Sequence, residues 1–368
     1  MIVENINNSG GKPRILVAPL DWGLGHATRC IPIIKFLIDQ NADVILAAKG
    51  KTASLLRDEF PDIRILELKG YKIQYSRNKS LFTLAIFLQL PKIFSVIRYE
   101  RKWLKKMITT EKIDAVISDN RFGLYHKNIP CTFITHQLAI KTGNMFLNKL
   151  VQKLNYQCIN NFAECWIPDN KEEDNLGGEL SHPATFPLSE TNYIGIISRF
   201  RKSEILKKYD FLILISGPEP QRTSFENILL KAFEGTSYSI VVVRGLPGRR
   251  SVLPLNRTTA KVFNHLKASE INTLILESET IIARCGYSTI MDLVTLQKKA
   301  ILIPTPGQAE QEYLAKYAME KKMFYCIKQE TFNLKIAEDL QTWQPCFSNI
   351  KTGINEDIIS NWLKNIRH

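Results

Sequence analysis

The chain has no uninterrupted apolar run of the roughly 20 residues that a membrane-spanning helix needs. The best candidate, residues 81–97, is broken by Gln89, Pro91 and Lys92. No apolar signal segment stands at the start, where residues 1–12 read MIVENINNSGGK. Cysteine is sparse: seven residues, an odd number, with no CxxC pair. That excludes a disulfide framework and a zinc site, and points to reduced thiols in a cytoplasm. Low-complexity segments and short repeats are missing. Acidic residues are in deficit, 36 against 49 Lys plus Arg, a net charge of +13.

What is present is ordinary for a globular protein. Hydrophobic residues make up 45% of the 368 and charged residues 23%, with a mean hydropathy of −0.12. Disorder, collagen and coiled coil are excluded, and the length suits two domains. The basic balance fits nucleic acid, an anionic membrane surface or anionic small substrates. No RNP, KH or zinc-finger pattern occurs, so nucleic acid is not expected as a partner.

Short apolar, β-branched runs alternate with helix-length segments. In the first half the runs are 14–20, 43–48, 63–68, 114–119 and 131–136, with a sixth near 164–169. Several are apolar on consecutive residues, as in strands covered on both faces. Between them, 31–40, 51–60 and 96–110 read as helices. Residues 170–192 are polar and rich in Pro and Gly, and read as irregular chain before a linker. A second series follows at 211–217, 238–245, 280–286 and 299–305, with helices over 222–234, 268–278, 288–297 and 308–320. The expected architecture is α/β: two Rossmann-like, doubly wound parallel-sheet domains facing a cleft. The first is 1–192 and the second 193–353, and a C-terminal helix near 354–367 packs back on the first. Ligands in such sheets bind beyond the carboxyl ends of the strands.

Five strings lie at those ends. In DWGLGHATR (21–29), Gly23 and Gly25 permit a sharp turn and His26 sits at a helix start. Thr28 stands where a dinucleotide fingerprint needs its third Gly, and Ala48 and Lys49 stand where it needs an acid. His26 is either a base or a capping residue. Asp119, in SDNRFG, ends a strand and is either a cleft carboxylate or an Asx turn. His136 and Gln137 end the next strand. In SGPEPQR (216–222), Ser216, Gly217, Arg222 and a helix start suit a phosphate. ARCGYSTIMDL (283–293) and PTPGQAEQEYLA (304–315) each open a helix from a tight turn.

The last two strings, with GLGH, resemble glycosyltransferase family 28, the MurG-like and monogalactosyldiacylglycerol-synthase-like GT-B enzymes. The resemblance implies a nucleotide-sugar donor, normally UDP-linked. It also implies a lipid-linked acceptor, inversion at the anomeric carbon, and no cofactor or metal. Gly23, Gly25 and His26 match the first-domain glycine loop, and His136 and Gln137 match the acceptor-side segment. Gly195 and Arg199 match a linker pair that reaches the nucleotide. Arg284, Gly286, Ser288 and Thr289 match the diphosphate turn, and Asp292 stands where an acid takes the ribose hydroxyls. Gln311 and Glu312 match the pair that reads the sugar, with Gln308 beside them. Pro218 replaces the Ser of the family's phosphate loop, and Glu312 replaces a Gln.

Residues 81–107 are apolar, then basic: Arg98, Arg101, Lys102, Lys105 and Lys106 surround Trp103. That composition suits a helix lying on anionic lipid. The expected protein is an inverting transferase that moves a hexose or N-acetylhexosamine, GlcNAc favoured, from a UDP-sugar. The acceptor is lipid-linked or a glycan, at the cytoplasmic membrane face, with His26 or Asp119 as base. The alternatives are an epimerase or hydrolase on the same fold, or a non-catalytic sugar-nucleotide sensor.

Overall fold

A computed structural model describes residues 11–71, 89–141, 145–246, 260–339, 343–347 and 350–367. Two parallel sheets form the frame. The first runs β3-β2-β1-β4-β5-β6-β7, built from β1 (Arg14–Pro19), β2 (Asp43–Ala48), β3 (Ile65–Glu67), β4 (Ala115–Asp119), β5 (Cys131–Ile134), β6 (Glu164–Ile167) and β7 (Glu190–Tyr193). The second runs β10-β9-β8-β11-β12-β13. Its strands are β8 (Tyr209–Leu214), β9 (Ile240–Val243), β10 (Lys261–Phe263), β11 (Ser278–Arg284), β12 (Ala300–Ile303) and β13 (Tyr325–Cys326). Every pairing is parallel. The strand order reverses beside β1 and beside β8, which are the two switch points.

The consecutive apolar residues of β1 explain its central place. Ile15 and Val17 face a core built with α1 (Leu24–Asp39) and α2 (Gly50–Glu59). Leu16 and Ala18 face the other core, which takes Leu104 from α3 (Leu90–Glu111). The second sheet is covered in the same way. Leu212 and Val241 face one cluster, with α6 (Ala268–Glu277), α7 (Tyr287–Thr295) and α8 (Ala309–Glu320). Phe211 and Ile213 face another, with α5 (Gln221–Ala232) and Ala337 of α9 (Leu334–Asp339). Such double burial needs apolar residues at successive positions.

Three strands carry no such signal. β7 falls at the end of the stretch read as irregular and has the polar sequence ETNY, with no buried residue. It is an edge strand zipped onto β6, held by backbone pairing that a hydrophobic pattern cannot register. β10 and β13 are likewise short edges of three and two residues. Helix α4 (Met145–Ile159) was also not in the reading, and Leu150 and Leu154 stay exposed on it.

The final helix, α10 (Glu356–Arg367), returns to the first domain. Ile359, Trp362 and Leu363 are buried in the same core as Ile15 and Val17. Trp362 meets Trp166 of β6 edge-on, ring centroids 5.2 Å apart. The outgoing and returning chains lie side by side. Gly353 N–H donates to Ile196 O at 2.9 Å and Asn355 N–H to Ile194 O at 2.8 Å.

Candidate active site in the cleft between the domains

The turn after β1 and the end of β4 meet at the first switch point. Gly23, at φ +143°, makes the sharp entry to α1 that an L side chain rarely adopts. No side chain caps α1, so its first N–H groups stay directed at the cleft. His26, on the first turn, places Nδ1 2.8 Å from Asp119 Oδ1. Arg29, one turn later on the same face, donates from Nε to Asp119 Oδ2 at 2.5 Å and from Nη2 to Asp119 Oδ1. Asp119 is wholly buried. Burial would raise its pKa, but Arg29 and His26 outweigh that and hold it well below the usual carboxylate range. Burial lowers the His26 pKa; Asp119 opposes the shift and Arg29 reinforces it. A depressed imidazole with one nitrogen held against a buried carboxylate has the form of a general base.

The second domain closes over this pair. His136, just beyond β5, reaches Glu310 Oε1 on α8 with Nε2 at 2.7 Å. Its ring stacks on Tyr287 of α7 at 4.1 Å and 7°, and Tyr287 donates to Pro168 O at 2.9 Å. Ser288 donates to Gly25 O at 3.0 Å. Burial would raise the Glu310 pKa, but His136, with His26 and Arg29 adding to it, holds it down. His26, Asp119, His136, Gly25 and Ser288 therefore share one place. The main-chain carbonyl of Gln137, the next residue, accepts from Asn155 Nδ2 at 3.2 Å.

The remaining residues singled out from sequence are distributed differently. Ser216 is exposed and Gly217 has φ +110°. Arg222 is committed inward, to Glu219 at 2.7 Å and Glu226 at 2.9 Å. Arg284 is buried under the loops. It bonds Pro304 O at 3.2 Å and Gln329 at 2.7 Å, and lies 3.8 Å from the Phe225 ring centroid. Burial lowers its pKa to about 10. Asp292 accepts from Ser198 of the linker at 2.5 Å, and burial raises it to about 6 against the pull of Arg199. Arg199 has a buried Nε without a hydrogen-bond partner. Gly286 is the N-cap of α7, with Thr289 in the first turn behind it. Gln308 is the N-cap of α8. Gln311 and Glu312 fold back onto the loop before α8, accepting from Thr305 N–H at 2.8 Å and Gly307 N–H at 2.9 Å.

Two residues of the site were not singled out: Arg29 and Glu310. Arg29 carried a signal. It lies one turn from His26 in a helix whose next residues, Cys30, Ile31, Ile33 and Ile34, are all core, and a buried charge needs a partner. Glu310 sits on a first helical turn, where an acid ordinarily does no more than offset the helix dipole. Among the described residues no group of three or more His, Cys, Asp or Glu side chains is placed to hold a metal. No described helix is long and apolar enough to cross a membrane.

Two Rossmann-like parallel-sheet domains are the architecture of the GT-B glycosyltransferases. The C-terminal part carries the family mark: residues 253–351 match the glycosyltransferase family 28 C-terminal domain. The chain is 21% identical over 326 residues to an uncharacterized glycosyltransferase of Methanosarcina acetivorans, 81% of either protein. Solved structures give the same fold. The glycosyltransferase SnogD from Streptomyces nogalater superposes with a TM-score of 0.58 at 10% identity, over 96% of this chain and 100% of that one. MurG of Acinetobacter baumannii does so with a TM-score of 0.51 at 16% identity, over 96% and 99%. The C-terminal domain thus matches the family 28 glycosyltransferases over residues 253–351, and the two-sheet architecture is the fold of the GT-B glycosyltransferases.

Proposed function

We propose that the enzyme transfers a hexose or N-acetylhexosamine, GlcNAc favoured, from a UDP-sugar to a hydroxyl of a lipid-linked or glycan acceptor, with inversion. The observation that carries this reading is the His26–Asp119 pair facing the starts of α7 and α8 across the cleft. With Nδ1 held by Asp119, Nε2 of His26 takes the acceptor proton as the oxygen attacks the anomeric carbon. The bond to the leaving diphosphate breaks on the opposite face. The open N-terminus of α7 at Gly286 to Thr289 stabilises that leaving charge, so the transfer needs no bound metal. Asp292 takes the ribose hydroxyls, and Gln308, Glu310, Gln311 and Glu312 line the sugar end.

The acceptor side rests on the charge of α3. Arg98, Arg101, Lys102, Lys105 and Lys106 are exposed, as is Phe94, which suits docking on the anionic inner face of a membrane. Trp103 packs inward against the core instead. Residues 81–88, the apolar half of the segment read as membrane-facing, lie outside the described residues.

The test is calorimetric titration of UDP and a UDP-sugar panel into wild type, Asp292→Ala and His26→Ala, followed by transfer assays with the sugar that binds. UDP affinity that falls in Asp292→Ala, with His26→Ala binding normally and transferring at less than about 1% of the wild-type rate, is the expected result. Near-normal transfer by His26→Ala would move the base to Asp119. Release of free sugar at the full rate without acceptor would favour a hydrolase.

A further inference from the structure

Arg29 is almost wholly buried, and it touches Asp119, His26 and His136 at once. Its guanidinium has five N–H donors in a fixed plane and no acceptor. Nε and Nη2 hold both oxygens of Asp119. Nη2 also lies 2.9 Å from His26 Nδ1, and Nη1 lies 3.0 Å from His136 Nδ1. We propose that Arg29 is the positioning residue that sets the ring proton of His136 on Nε2 and holds Asp119 as the acceptor of His26 Nδ1–H, and thereby links the base of the first domain to Glu310 of the second.

The geometry gives the assignment ring by ring. His136 Nδ1 faces an N–H that can only donate, so it must present its lone pair. The ring proton is then on Nε2, which is the nitrogen 2.7 Å from the Glu310 carboxylate. His26 Nδ1 has two neighbours, Asp119 Oδ1 and Arg29 Nη2. A carboxylate held by both arms of a guanidinium is the stronger pairing. Arg29 therefore gives its fork to Asp119, and Asp119 Oδ1 accepts from His26 Nδ1–H with its remaining lone pair. Nε2 of His26 is left free to take a proton. The charged groups facing the two rings are Arg29 from α1, Asp119 from β4 and Glu310 from α8; Tyr287 of α7 covers the flat face of His136. The link rests on the reading of His26 as the base. It adds that domain closure and base readiness belong to one hydrogen-bonded chain, Asp119–Arg29–His136–Glu310.

Nitrogen-15 NMR of the histidine rings in the full chain tests this without substrate. The sequence has six histidines, and single His→Gln variants assign them. Wild type is expected to show a pyrrole-type Nδ1 for His26, and a pyridine-type Nδ1 with a pyrrole-type Nε2 for His136. Glu310→Gln keeps an acceptor for Nε2–H and should leave both patterns unchanged. Arg29→Lys keeps the charge but loses the fork. It should abolish the single His136 tautomer and raise the His26 titration midpoint by about one unit. A His136 that carries its proton on Nδ1 in wild type overturns the proposal. So does a pyridine-type Nδ1 on His26, or a His136 pattern unchanged in folded Arg29→Lys. If Arg29→Lys fails to fold, the wild-type spectrum decides alone. The His136 outcomes leave the base reading untouched; a pyridine-type Nδ1 on His26 would also withdraw Nε2 as the accepting atom, and the transfer rate of His26→Ala decides the base reading separately.

Discussion

At the residue scale the cleft is an arrangement of buried charges whose partners come from distant parts of the chain. His26 and Asp119 were legible because each ends or follows an apolar strand, where a polar side chain has no packing role. Arg29 carries only the signal of a charge on an apolar helix face, which does not name Asp119 or His136 as its partners, and Glu310 carries none, because its significance is a distance to His136, far away in sequence. Asp292 gives a pH prediction. Its folded pKa, about 6, stands above the ordinary carboxylate value of about 3.9. Between those values the folded state binds more protons, so this group's contribution to stability falls as pH rises through that window. Asp292→Asn removes the ionisation. Its stability relative to wild type, read from urea midpoints, should therefore be higher at about pH 7.5 than at about pH 4. An identical difference at both pH values would mean that Asp292 does not titrate there.

At the scale of elements, consecutive apolar residues announced ten strands, and all ten lie in the two sheets. What escaped was decided by backbone pairing at sheet edges, as in β7, where ETNY offers no apolar residue to read. The linker obeys a local rule of its own. Gly195 has φ +84°, and a Cβ there would sit 2.2 Å from Gly353 O. That neighbour is backbone within the paired crossing and cannot swing away. Gly195→Ala should lower stability by more than about 2 kcal/mol in chemical denaturation. The α3 surface makes a separate prediction. Neutralising Lys102, Lys105 and Lys106 to Gln removes about 1 kcal/mol each near an anionic membrane. Binding to vesicles of mixed neutral and anionic lipid should fall about 100-fold. Unchanged binding would assign that surface to something other than lipid.

At the scale of the whole molecule, the two domains meet at the cleft through Ser288 on Gly25, His136 on Tyr287 and Glu310, and Glu59 accepting from Ala268 N–H at 3.2 Å, and beside it through Tyr287 on Pro168 O, Tyr317 on Asn175, and Leu176 and Leu180 packed in the second domain's core. The crossings at 194–196 and 353–355 are instead joined backbone to backbone. Trp362 is different in kind, because it belongs to the first domain's core. Trp362→Ala should cost about 3–5 kcal/mol and lower the first thermal transition, with the second domain's core untouched. A domain whose core takes its last helix from beyond the other domain is an interrupted domain, and the second domain is the interruption. During synthesis the inner module has all of its strands before the outer one can bury Trp166 against Trp362. The second domain is thus free to fold first, and the first is sealed only when α10 has been made.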